Sequence, residues 1–339
     1  MMALGTDTGG SVRGPSSANG IVGLKTTHGL LSRDGVIPLA LSFDTVGPMA
    51  RSVYDVATAL GVMTGVDEAD ASTQKSVGKF HNDYTQFLDA DALKGAKIGV
   101  ARVFMGYDGE VDWVFEAALQ SMRDAGAEVV DVEIPSWVMD VRGRLYRAIR
   151  YREFKAQIAD YLATIGPDYP KSLDDIVARS MKLPSRLENG ISPNPSRWRL
   201  MLSEQKGGKL GDGEYKAVHE HGLKLIRAVL EGIMQDNGLD AIVYPTSTTR
   251  PSKIDPDPSP SSGPGGGVSP VSLANLSGFP DMIVPAGFTG MGLPVSISFL
   301  GTAFSEPRLL GLGYAFEQQT KAIRLPVHTP PLDGETISK

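Results

Sequence analysis

The residues best suited to chemistry stand at the start of the chain, in the run GTDTGGSVR at positions 5–13. Gly9 and Gly10 are consecutive, and without a Cβ they let the backbone turn sharply ahead of Ser11. Such a turn can aim several N–H groups into one small hollow. Pro15 suits the first turn of a short following helix and Gly20 its end, so a helix N-terminus is predicted beside Ser11. A serine hydroxyl next to converging N–H donors suits an oxygen nucleophile with an oxyanion hole. Three other readings fit parts of the same run. A phosphate-cradling loop would need a Lys-Ser/Thr pair after the glycines or a GxGxxG spacing, and neither is present. A hydrolase nucleophile elbow would need glycine two residues after the serine, where Arg13 stands. A plain structural turn needs nothing more. Spacing alone leaves these open.

Composition narrows the chemistry. No cysteine occurs, which removes thiolate nucleophiles, disulfides and cysteine-held zinc or iron–sulfur groups. Histidine chemistry has only His28, His81, His219, His221 and His328 to draw on. His219 and His221 fall on different faces of a predicted helix and do not form an HxxxH metal pair. A net charge of −6 argues against a broad basic nucleic-acid-binding face. No apolar run approaches the ~18 residues of a membrane span, and the first residues lack the basic and apolar regions of a signal peptide. A cytoplasmic location is the resulting expectation.

The elements that must position Ser11 follow from hydrophobic periodicity. Residues 52–65 read as a helix with Ser52 as N-cap. Residues 97–101 are a buried strand, Glu110 to Ala125 an amphipathic helix ended at Gly126, and 127–134 a second strand. That is a βαβ unit, which predicts parallel strands. Helices are predicted over 141–163, 172–182, 213–236, near 270–277 and over 306–319, with strands at 240–244, 281–285 and 294–300. Ser247 to Pro270 is rich in proline, glycine and serine and reads as a surface loop or a substrate-covering one. The expectation is α/β, with a mixed, mostly parallel central sheet covered by helices on both faces.

Three stretches carry a resemblance. GTDTGGSVR at 5–13, NGIVGLKTTHGLLSRDGVIP at 19–38 and DTVGPMARSVYD at 44–55 resemble the amidase signature family. The likeness resumes in NLSGFP at 275–280, VPAGF at 284–288, GLPVSISFLG at 292–301 and Glu306 to Thr320, in family order. DYTQFL at 83–88 and EQQT at 317–320 are similar to its peptide amidase branch. The resemblance implies a single amidase-signature domain over 1–339 and hydrolysis of a linear carboxamide through a serine acyl-enzyme, without metal or organic cofactor. It makes Ser11 the nucleophile, puts the oxyanion hole at the amides of Thr8, Gly9, Gly10 and Ser11, and gives loop support to Asp7 and Arg13. The implied partner is a small-molecule or peptide amide substrate, with neither nucleic acid nor membrane, and with a homodimer left open.

The family also uses a second serine on a cis peptide bond and a lysine, both upstream of the nucleophile. Only ten residues precede Ser11 here, and none is Ser or Lys. Lys25 follows the nucleophile, where a structural strand end is its expected role. The resemblance therefore predicts an N-terminally incomplete amidase that is inactive or impaired as written. Two alternatives stand beside it: a non-catalytic remnant or binding protein of the same fold, and the amidase component of a tRNA-dependent amidotransferase. Elsewhere, His28 is expected to make a loop hydrogen bond and Asp67, Glu68 and Asp70 to form a solvated surface. Asp281 is expected to stabilise a turn, and Tyr244 to Ser247 could face substrate at a strand end.

Overall fold

A computed structural model of the chain describes residues 2–182, 195–251 and 269–325. In chain order it contains β1 (Met2–Asp7), α1 (Arg13–Ala18), β2 (Val22–Lys25), β3 (Thr45–Ala50) and α2 (Val53–Met63). Then come β4 (Lys97–Val100), α3 (Gly109–Asp124), β5 (Glu128–Asp131), α4 (Ser136–Ala163), α5 (Leu173–Ser180) and α6 (Pro195–Gln205). The rest is α7 (Gly213–Ala217), α8 (Leu223–Asn237), β6 (Ala241–Pro245), α9 (Ser272–Ser277), β7 (Asp281–Phe288), β8 (Pro294–Leu300) and α10 (Glu306–Thr320).

Local signals start and stop these elements. The Ser52 hydroxyl accepts from Asp55 N at 3.1 Å and caps α2. Asp108 caps α3, whose buried stripe of Val111, Val114, Phe115, Ala118, Leu119 and Met122 follows the helical period. The helix expected over 213–236 is interrupted: Val218–Gly222 winds with wider, π-type spacing between α7 and α8. The segment 252–268, most of the loop expected at 247–270, lies outside the described residues.

The eight strands among the described residues form one sheet in the order β1-β3-β2-β7-β8-β6-β4-β5. Its mixed character and helical cover on both faces agree with expectation; the expected mostly parallel pairing does not hold. Only β4–β5 and β4–β6 are parallel, and the other five pairings are antiparallel. The parallel part is the βαβ unit, β4-α3-β5, together with β6, which α8 leads into; β7 and β8 meet as adjacent antiparallel strands across a short turn.

Side-chain alternation distributes β6 between two cores. Ala241 and Val243 join the layer under α2, α3 and α10, whereas Ile242 and Tyr244 join the layer under α4, α8 and α9. β1 lies at one sheet edge with Met2 and Leu4 more than half exposed, and its far end delivers the chain into the Ser11 turn.

Candidate active site

Arg13 is the fixed point of the Ser11 loop. It is fully buried, and all five of its guanidinium N–H groups find acceptors. Nε donates to Asp7 Oδ2 at 3.0 Å and Nη2 to Asp7 Oδ1 at 3.0 Å, a fork on one carboxylate. Nη2 also donates to Asn275 Oδ1 (2.6 Å), and Nη1 donates to Val271 O (2.6 Å) and Asp281 Oδ2 (2.8 Å). The residues that follow the loop in sequence are thereby tied to the segment around α9 and the start of β7.

Asp7, at the end of β1, gathers the loop backbone. Its Oδ1 accepts from Gly10 N at 2.8 Å, and its Oδ2 accepts from the amides of Val12 (3.2 Å) and Arg13 (3.4 Å). Asn275 Nδ2 adds a bond to Oδ1 at 2.9 Å. Burial alone would raise the Asp7 carboxyl, but the Arg13 charge and the hydrogen bonds from Arg13 and Asn275 outweigh it and hold the group well below the usual carboxylate range. Asp281 stands raised: burial dominates over Arg13 and the Tyr244 hydroxyl, which donates to Oδ2 at 2.8 Å.

The turn itself needs its glycines. Gly10 has φ of +116°, and a Cβ there would lie 2.6 Å from Val271 Cγ2. A Cβ on Gly9 would lie 2.6 Å from the Tyr146 hydroxyl oxygen, so α4 closes down directly on the loop. The Thr8 hydroxyl donates to the buried Asp44 carboxylate, which also accepts from the amides of Leu39 and Ala40, each at 2.9 Å. Ser11 is exposed at the head of α1, and no described residue holds its hydroxyl.

The structure brings Asp7, Thr8, Gly9, Gly10, Ser11 and Arg13 into one turn, with Asp7 and Arg13 as its internal brace. The Gly10 amide is occupied by Asp7, whereas Thr8, Gly9 and Ser11 give no amide to that carboxylate. Lys25 ends β2 fully buried, its ammonium donating to the carbonyls of Phe279 (2.8 Å) and Thr26 (3.0 Å). Burial, then repulsion from Arg13, pulls it down to about 7 against the attraction of Asp7, Asp281 and Glu306.

Several members of the site escape a reading of the sequence. Asn275 and Asp44 sit inside the stretches that carry the family likeness, yet no local pattern gives them a role, and nothing in the sequence points Tyr146 at Gly9. The acidic group at 67–70 is solvated only in part: Glu68 is exposed as expected and Asp67 partly so, accepting from Ser32, but Asp70 is buried and forks with Arg33 (2.6 Å). His28 makes the expected loop bond, to Leu41 O at 2.8 Å. Asp281 pairs with Arg13 rather than serving only its turn.

A cavity of about 320 Å³ borders the loop at Gly9 and Gly10. Its other walls come from Thr246 to Thr249 after β6, Val111 of α3, and Val295 and Ser296 of β8. Tyr244 is buried beneath it, so the strand-end residues that face the cavity begin at Thr246. The wall is clamped from outside: Arg250 Nε donates to Asp108 Oδ2 at 2.8 Å, and Arg250 Nη1 donates to Glu110. Among the described residues no helix is long and apolar enough to cross a membrane. The arrangement presents a free serine hydroxyl, adjacent backbone amides and a substrate-sized hollow at one turn.

Known proteins share this arrangement of chain. The amidase family model matches residues 1–310. A glutamyl-tRNA(Gln) amidotransferase subunit from Caldanaerobacter subterraneus is 35% identical over 324 residues, covering 94% of this chain and 63% of its own length. The crystal structure of peptide amidase from Stenotrophomonas maltophilia superposes with a TM-score of 0.81 at 34% identity, over 95% of this chain and 63% of that one. The corresponding glutamyl-tRNA(Gln) amidotransferase subunit from Thermotoga maritima gives 0.64 at 27% identity, over 94% and 62%. The chain thus spans about 63% of the length of the relatives it matches.

Proposed function

The chain belongs to the amidase signature family, and from that premise we propose that it hydrolyses a linear carboxamide through an acyl-enzyme on Ser11. The observation that supports this most is the Ser11 turn: an exposed, unheld hydroxyl on a loop that Asp7 and Arg13 make rigid, beside a cavity. Ser11 Oγ attacks the amide carbonyl carbon and gives up its proton to a base. The carbonyl oxygen becomes an oxyanion, held by the N–H groups of Thr8, Gly9 and Ser11, since that of Gly10 is taken by Asp7. Collapse breaks the C–N bond, the amine leaves with a proton, and water then releases the acid and restores the hydroxyl. Asp7, Arg13 and Asn275 hold the donors in place without touching substrate.

Lys25 is not the base in this reading, because its ammonium is enclosed and bound to two carbonyls. Family resemblance assigns the proton to a serine–lysine relay, which is not found before Ser11 in this chain. A positioned acid–base group is worth about 10²–10⁴ in rate, so residues 1–339 alone are expected to turn over near background. The test compares amide turnover and fluorophosphonate labelling of three proteins: this chain, the longest reading frame that contains it, and that longer protein with Ser11→Ala. Turnover in the longer protein that vanishes with Ser11→Ala supports the reading. Unchanged turnover in Ser11→Ala rules Ser11 out as nucleophile, and no turnover in the longer protein favours a non-catalytic role.

A second reading rests on the 35% identity to a glutamyl-tRNA(Gln) amidotransferase component. In it the amidase works within a multi-protein complex acting on aminoacyl-tRNA. Partner proteins retained through purification, together with hydrolysis of glutamine in preference to peptide amides, would select that reading; an isolated active protein would reject it.

A further inference from the structure

A second cavity, of about 550 Å³, shares Gly9 and Ser269 with the first and extends along α4. Arg142, Arg144 and Arg147 line it, against a single acid, Asp140. The lining therefore carries three cations and one anion, in a protein whose overall charge is −6. Arg142 is partly spent, donating to the Met139 carbonyl of its own helix. Arg144 and Arg147 are exposed, and among the described residues neither has a carboxylate partner. Arg147 lies back over Gly143, its Nη1 only 3.3 Å from where a Cβ would stand, so the bare backbone there gives the guanidinium its place.

Two hydroxyls in the same cavity are also unused. Ser272 Oγ is buried without a hydrogen-bond partner. The Tyr146 hydroxyl, against Gly9, has no partner among the described residues, while its ring is held by stacking on Phe43 at 5.2 Å. Buried polar atoms are normally satisfied, and here a buried unsatisfied donor, Ser272 Oγ, is grouped with the partnerless Tyr146 hydroxyl and the guanidinium forks next to the Ser11 turn. A planar anion accepting several bonds meets that need, and guanidinium matches carboxylate geometry in particular.

We propose that this cavity is an anion subsite, and that the amide substrate carries a free carboxylate which Arg144 and Arg147 bind while its carboxamide lies at Ser11. This rests on the amidase reading above and adds the substrate's charge to it. Neutral amides bind without this contact and are the poorer substrates.

The experiment measures kcat/KM for succinamate and for butanamide, its uncharged counterpart, in the longest reading frame containing the chain. Succinamate is expected to be preferred at low salt. Arg144→Gln combined with Arg147→Gln should narrow the ratio about tenfold, the combined worth of two partly exposed charge contacts. About 1 M salt, with a Debye length near 3 Å, should narrow it likewise. Equal kcat/KM for the two amides, with no response to the double substitution, would overturn the subsite and leave the amidase reading intact. If neither amide is turned over, the amidase reading has failed instead, and calorimetric binding of succinamate to the Ser11→Ala protein decides. Binding that weakens about tenfold in the double variant upholds the subsite; undetectable or unaltered binding overturns it.

Discussion

Arg13 grips Asp7 with two parallel hydrogen bonds, Nε to Oδ2 and Nη2 to Oδ1, each 3.0 Å long and fully buried. The pair lies just beneath the Ser11 turn, so the geometry of that turn depends on a fork that lysine cannot reproduce. Arg13→Lys keeps the charge but supplies three donors where five are used. The expected cost is about 3–5 kcal/mol, as for a broken buried pair. Thermal melting reads the stability loss, and fluorophosphonate labelling of Ser11 should slow in step with the misplaced loop.

Gly9 and Tyr146 meet too closely for any larger residue at position 9. Gly9→Ala should push the loop off the tyrosine and slow Ser11 labelling by about 10²-fold, the scale of a 1 Å misplacement. Adding Tyr146→Phe removes the atom 2.6 Å away but leaves the ring carbon at 3.1 Å, so recovery should be partial. A double variant no faster than Gly9→Ala would show that the clash is not the cause.

Arg250 holds the cavity wall to α3 from a half-exposed position. Arg250→Ala should therefore change stability by no more than about 1 kcal/mol. Substrate binding should suffer more: in the longest reading frame containing the chain, a several-fold rise in KM with kcat nearly kept, read from steady-state kinetics. A drop confined to kcat would contradict this role.

Glu317 accepts from the amide of Val53 at the start of α2 (2.9 Å), and its carboxyl is pushed up from 4.5 to about 7 by burial and then by Asp55, against the bond from Val53. The folded state thus binds this proton more tightly than the unfolded chain does. Its stabilising contribution is complete below about pH 4.5 and is lost as pH rises through 7. Glu317→Gln keeps an acceptor for Val53 and should flatten this fall, gaining about 1–2 kcal/mol at pH 8. Melting temperatures of both proteins from pH 5 to pH 8 check it, and parallel curves would refute it.

The sequence by itself determined what short-range chemistry can determine. The period of Val111 to Met122 specifies α3, Ser52 and Asp108 cap their helices, and the paired glycines before Ser11 require a tight turn. It also carried enough family likeness to mark Ser11, Asp7 and Arg13. It did not disclose β1, most of whose residues are exposed and show no buried alternation, or β3, in which Pro48 lacks the N–H of a regular strand. Only the tertiary structure decided the antiparallel majority of the sheet, the loss of the Gly10 amide to Asp7, and the meeting of Tyr146 with Gly9. The closing bonds of the Arg13 hub come from Val271, Asn275 and Asp281, more than 250 residues along the chain. Pairings across such separations leave no local period to read, because they are set by which faces of the sheet the helices bury.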